Sequence, residues 1–244
     1  MVTTEQPPFT PMLTAHLGEA RAWTIDSYLR RGGYEQWRRA LSTPNAREMI
    51  LDEVKKSGIR GRGGAGFPMH MKWGTLPKDE SIPRYMVVNG DESEPGTCHD
   101  RFLVEEDPHL VLEGAMLVAY AVNAHHIYLY LRGEFGFGAE RMQTAIGAAR
   151  EQGFLGKNIL GSGFDLEATV YRGAGAYICG EETALIQSLN GNRGITRMKP
   201  PYFPTVVGGG AWGKPTVMQN VQTVANLPFI LEMGGEAYAR IGNP

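Results

Sequence analysis

Two cysteines in 244 residues, Cys98 and Cys179, are too few for a disulfide framework. Nor can they supply the four thiolates that usually hold an iron–sulfur cluster. No apolar run approaches the roughly 20 residues that cross a bilayer. The N-terminal region carries neither a secretory signal pattern nor the Arg-rich, acid-poor pattern of a transit peptide. Net charge is −2, so no strong attraction to nucleic acid or to an anionic membrane is expected. The six histidines show no metal-ligand spacing. His125 and His126 are adjacent at a strand start and would point to opposite faces, so neither is assigned a ligand role. No Ser/His/Asp arrangement is visible, and there is no internal repeat. A soluble protein of a reducing compartment is the simplest expectation.

What is present is a 42% hydrophobic content, enough for one large domain or a domain plus an arm. The 32 glycines exceed the average usage of about 7% and cluster in short loops. Residues 1–44 read as an N-terminal arm with short helices over Ile25–Leu29 and Tyr34–Leu41, packed on the domain or on a partner. Asn45 is a suitable N-cap for a helix over 46–57 with Gly58 as its stop and Met49, Ile50 and Val54 as its buried stripe. Strands are expected at 85–89, 126–131 and 165–171, and helices at 109–123, 139–152, 181–189 and 216–233. Strands alternating with helices predict an α/β fold with a mostly parallel sheet over 45–244. The Gly/Pro-rich stretch 192–214 predicts a long loop, and such loops are usually functional.

Four segments carry chemistry. Residues 60–67, Arg-Gly-Arg-Gly-Gly-Ala-Gly-Phe, form a glycine loop whose backbone a flat or anionic ligand can approach closely. Gly61, Gly63 and Gly66 match G-x-G-x-x-G, but a helix rather than a strand precedes them, which argues against an ordinary Rossmann turn. No Gly-Lys-Ser/Thr follows, so a P-loop is excluded as well. Phe67 and Trp73 suit ring stacking and core packing equally. Lys72 has the reach to meet a phosphate, though most lysines are simply solvated. Asp91, Glu92 and Glu94 follow a predicted strand, where open α/β sheets bind ligands. Their carboxylates suit ribose or ribityl hydroxyls, and they equally suit a solvated acidic turn. A Mg²⁺ site has less support. Arg172–Thr183 links a strand to a helix, and Glu181 and Glu182 suit that helix's positive end. Cys179 reads as a small packed residue. Finally, Lys199-Pro-Pro-Tyr202-Phe-Pro and Gln219-Asn220-Val-Gln222-Thr223 offer aromatics for a base and polar groups for a phosphate, each alone more often structural.

Taken together, Gly61–Pro68, Asn89–Gly96, Arg172–Thr183 and Lys199–Thr223 closely resemble the flavoprotein, NADH-oxidising subunit of respiratory complex I (NADH-quinone oxidoreductase). The diaphorase subunits of NAD-linked hydrogenases and formate dehydrogenases share this module. The resemblance runs from about Ala20 to the C-terminus, and its two glycine motifs are highly specific. It implies an atypical Rossmann-like domain that holds FMN non-covalently. Gly61, Arg62, Gly63, Gly64 and Lys72 would line the flavin site, with Asn89, Asp91 and Glu92 on its ribityl side. Tyr177, Gly180, Glu181 and Glu182 would flank the ring, and Gln219, Asn220 and Thr223 would meet the phosphate. Phe67, Glu94, Lys199 and Tyr202 match positions that contact NADH. No acid or base is implied; Glu94 and Glu182 line the site while hydride passes from NADH to FMN. Electrons would then go singly to iron–sulfur centres of partner subunits. The location implied is cytoplasmic, peripheral on the inner face of a bacterial membrane through those partners, with no insertion of this chain and no nucleic acid.

The sequence departs from this pattern in places. Met69-His70 replaces the usual Thr-Gly, and Thr75 stands where an aromatic is common. Gln219 and Gln222 stand where Asn and Glu are usual. The family continues into a ubiquitin-like domain and a helical domain with a four-cysteine [4Fe–4S] site. This sequence stops at Pro244, so a truncation before both is expected, without ligands for that cluster. Two alternatives stay open: a diaphorase subunit of a hydrogenase or formate dehydrogenase, and a non-catalytic scaffold subunit.

Overall fold

The computed structural model describes residues 11–198 and 209–242. Lys199 and Tyr202, both expected at the dinucleotide site, lie outside the described residues, as does much of the predicted long loop.

Four short helices come first: α1 (Ile25–Arg30), α2 (Glu35–Ser42), α3 (Ala46–Ser57) and α4 (Met69–Trp73). Strand β1 (Tyr85–Gly90) follows, then α5 (His99–Glu106) and α6 (Pro108–Ala121). Next come β2 (His126–Leu131), α7 (Gly136–Glu151), β3 (Glu167–Arg172) and α8 (Glu182–Leu189). The chain closes with β4 (Thr216–Asn220), α9 (Val221–Ala225), α10 (Leu227–Met233) and α11 (Gly235–Ala239). All strand pairs are parallel and the order is β3-β2-β1-β4, so the fold is α/β with a parallel sheet and flanking helices. The connections β1→β2→β3 run to one side, and β4 lies on the other side of β1. The strand order therefore reverses between β1 and β4, the kind of crevice where open α/β sheets bind ligands.

Sequence and structure agree closely over α3, β1 and β2. Ile50 and Val54 are fully buried and Gly58 ends α3 at φ +63°. Three differences have physical reasons. The helix expected over 216–233 is instead β4 followed by two short helices. Thr216–Met218 is a short apolar run that suits either state, and pairing with β1 from Tyr85↔Thr216 to Asn89↔Asn220 decides it. Asn45 does not cap α3 with its side chain; it takes a left-handed conformation at φ 55°. Helix α5 escapes the sequence pattern because its N-terminus is capped from a distance. Both oxygens of Glu92 accept hydrogen bonds there, from the backbone N–H groups of Asp100 and Arg101, each at 3.0 Å.

The core lies between the sheet and α6, whose residues from Pro108 to Ala119 are all buried. Gly114 lets α9 approach: a Cβ there would sit 2.0 Å from the Val224 carbonyl oxygen. The N-terminal helices join this core through Glu113. Its carboxylate accepts from the Tyr28 hydroxyl at 2.5 Å and from the backbone N–H groups of Tyr34 and Trp37 at 2.8 and 3.1 Å. Among the described residues no helix is long and apolar enough to cross a membrane.

Candidate functional site

Two adjoining cavities open at the carboxyl ends of β1 and β4. The larger, about 460 Å³, is walled by the glycine loop (Arg62, Gly63, Gly64), the acidic loop (Asp91–Glu94) and the start of α5. Tyr177, Gly180, Glu181 and Asn220 complete it. The smaller, about 280 Å³, is lined by Gly61, Phe67, Lys72, Glu182, Met218 and Gln219, among others. Gly63, Asn89, Gly180, Glu181 and Asn220 belong to both. The combined volume falls in the range of small-molecule and cofactor sites, roughly 300–1,000 Å³.

The glycine loop is shaped by its backbone. Gly64 and Gly66 have φ of +106° and +61°, which side chains rarely adopt, and a Cβ on either would meet open space. The loop is fastened below by Thr223, whose hydroxyl accepts the Arg62 N–H at 2.9 Å. Thr223 is itself fully buried and is not on the cavity wall. Gly180 approaches the acidic loop: its Cβ would lie 3.1 Å from the Asp91 carbonyl oxygen. The Asn89 amide donates to the Gly180 carbonyl at 2.9 Å, tying β1 to the turn before α8.

The charged groups of the two walls interlock. Lys72 Nζ lies 2.8 Å from Glu182 Oε1 and donates to the Met218 carbonyl at 2.9 Å. Glu181 lines both cavities while its carboxylate caps α8, accepting from the N–H groups of Thr183 and Ala184 at 2.9 and 3.0 Å. Tyr177 donates to Glu94 across the mouth at 2.5 Å. Burial raises the Asp91 carboxyl above the usual carboxylate range, against the opposing pull of the Ser93 hydroxyl and Arg132. Asp91 Oδ2 and Gln219 Nε2 are buried without a hydrogen-bond partner. Such atoms are uncommon in native interiors, and these two belong to residues that line the crevice.

The structure thus gathers all described candidate residues at one crevice, with Thr223 beneath it. It adds residues that sequence reasoning missed: Ser93, Thr97, His99, Asp100 and Ile178. Of these, His99 and Asp100 are titratable, and their only sequence signal is their position five and six residues beyond the acidic loop's Glu94.

A glycine-walled, polar crevice at the reversal point of a parallel sheet defines a nucleotide- or flavin-type binding domain. The family model described as "Nuo51 FMN-binding domain" matches residues 54–229, and the chain belongs to that family. It is 54% identical over 231 residues to the F subunit of NADH-quinone oxidoreductase in Aquifex aeolicus (strain VF5), covering 95% of this chain and 53% of the relative. To its namesake in Streptomyces coelicolor the chain is 48% identical, covering 96% of this chain and 51% of the relative. Among solved structures it is similar to the NAD⁺-reducing [NiFe]-hydrogenase in the H₂-reduced state, with a TM-score of 0.75 and 33% identity. That match covers 96% of this chain and 37% of the hydrogenase chain. The chain spans about half the length of the curated relatives.

Proposed function

We propose that this chain binds FMN and NADH and forms the electron-input module of an NADH-quinone oxidoreductase. The observation that carries this reading is the pair of adjoining cavities with Asp91 Oδ2 and Gln219 Nε2 buried and unpartnered on their walls. Asp91 Oδ2 fits a ribityl hydroxyl, and the Gln219 amide donor fits a phosphate oxygen. Gly63 lets the loop pack against Asn220, since a Cβ there would lie 3.2 Å from Asn220 Cβ, and Gly64 leaves open space over the loop backbone.

In this reading Gly61–Gly64 and Asn220 hold the phosphate end, with Thr223 and Gln219 supporting them. Asn89, Asp91 and Glu92 hold the ribityl chain. Lys72, Tyr177, Gly180, Glu181 and Glu182 surround the ring. Phe67 and Glu94, with Lys199 and Tyr202, receive NADH. The negative acidic loop disfavours a 2′-phosphate and so favours NADH over NADPH. FMN, when bound, supplies the acceptor for hydride from NADH and releases the electrons one at a time. The residues of this chain align the two rings, which is what such a transfer requires.

The electrons then pass to iron–sulfur centres of partner subunits, which place the chain on the cytoplasmic face of a bacterial membrane without inserting it. Similarity to the hydrogenase supports a second reading, the same module in an NAD-linked hydrogenase. The test is reconstitution of the full chain with FMN, followed by anaerobic NADH. A bound flavin whose visible absorbance NADH bleaches is expected. A chain that takes up no FMN overturns the proposal.

A further inference from the structure

We propose that His99 is the second cation of an anion subsite in this crevice, and that it selects a phosphorylated flavin over the phosphate-free form. The inference rests on the FMN reading above. Among the described residues lining the larger cavity, Arg62 and His99 are the basic ones, facing Asp91, Glu92, Glu94, Asp100 and Glu181. A phosphate dianion entering a wall so rich in carboxylates depends strongly on each positive group present.

The geometry places His99 beside the phosphate end. Asp100, only 3% exposed, is the hub. His99 Nδ1–H donates to Asp100 Oδ1 at 3.0 Å. The same carboxylate accepts the Asn220 amide on its other oxygen and the Gln222 N–H at 3.1 Å. One buried carboxylate therefore fastens His99 to the end of β4, where Asn220 joins Gly63 and Gly64 on the cavity wall. His99 Nε2 lies 3.5 Å from Glu92 Oε1, too far for a committed hydrogen bond. The side chain is 40% exposed and lines the larger cavity. Glu92 also accepts hydrogen bonds at the N-terminus of α5, from Asp100 N–H and Arg101 N–H. The hydrogen bond to Asp100 raises the imidazole's pKa, with smaller help from the charges of Asp100 and Glu92 and against burial. The imidazolium is thereby favoured, and it is lost as pH rises.

The test compares binding of FMN and riboflavin to the full chain by flavin fluorescence, for the wild type, H99Q and H99K. Above about pH 7 the ligand phosphate is already a dianion, so its own titration does not intrude. As pH rises above about 7 the wild-type preference for FMN should fall toward that of H99Q, about five- to tenfold lower, as the imidazolium is lost. H99K should keep the full preference across that range, and H99Q should show the reduced preference throughout. If H99Q keeps the wild-type preference at pH 7, or all three proteins change alike with pH, the inference is overturned while FMN binding stands. A wild-type chain that binds neither flavin overturns the FMN reading and this inference with it.

Discussion

Lys72 shows how a single residue joins the walls of the site. Its ammonium sits between Glu182 at 2.8 Å and the Met218 carbonyl at 2.9 Å, and it is only 14% exposed. Lys72→Met should destabilise the chain by roughly 2 kcal/mol, because a largely buried carboxylate loses its cation and a carbonyl loses its donor. A lowered urea midpoint with unchanged slope would show it, and FMN affinity should fall together with it. At this scale the motif-borne residues were legible. Arg62, Asn89, Asp91 and Glu182 sit in segments that stood out by occurring together, although each segment alone also suited a surface turn or a helix start. His99 and Asp100 were not legible. They lie on a helix without a local capping signal, and their partners Glu92, Asn220 and Gln222 come from two other segments.

Elements differ in how far local sequence determines them. Helix α3 is set by its own apolar stripe and its Gly58 stop, so its bounds match the sequence pattern. Strand β4 is set by its neighbour: Val217 and Met218 read as helix or strand until β1 pairs with them. Two glycines in helices separate packing from propensity. On α6, Gly114→Ala would place a Cβ 2.0 Å from the Val224 carbonyl oxygen and force α6 and α9 apart. The expected cost is about 2–3 kcal/mol, the usual range for overpacking. Thermal melting should then fall by several degrees. On α7, Gly147 has nothing within 4 Å of its Cβ position. Gly147→Ala should stabilise the chain by up to about 1 kcal/mol through helix propensity. A melt in which the two substitutions move the midpoint in the same direction would contradict this packing.

For the whole molecule, the buried polar cluster beneath the N-terminal helices sets a pH dependence. His109, 1% exposed, contacts the Tyr34 hydroxyl through Nδ1 at 2.9 Å. Burial, helped by the nearby Arg31 charge, lowers its pKa to about 4. In the unfolded chain it titrates near its ordinary value of 6.5. Between these values the unfolded state binds the extra proton, so the contribution is full above pH 6.5 and is lost as pH falls to about 4. It amounts to roughly 3 kcal/mol. Asp107 and Glu113, whose carboxyls burial raises, act in the opposite sense, so the comparison is with His109→Gln. The stability gap between wild type and variant should shrink by about that amount over this range, read from urea unfolding at several pH values. A gap that stays constant would mean that His109 titrates alike in both states.

The sequence by itself determined the α/β class, the short helices of the arm, the two inner strands and the residue types of the loops around the crevice. These depend on local periodicity, glycine placement and motif composition, which are carried within a few residues. Tertiary structure alone decided that β4 is a strand, that the strand order reverses beside β1, and that Glu92 caps a helix it does not belong to. It also decided that one carboxylate, Asp100, ties His99 to Asn220. Each of these rests on contacts that only chain folding brings together, in the last case across 120 positions. No local pattern encodes a pairing between segments whose nearness is itself a product of the packed core.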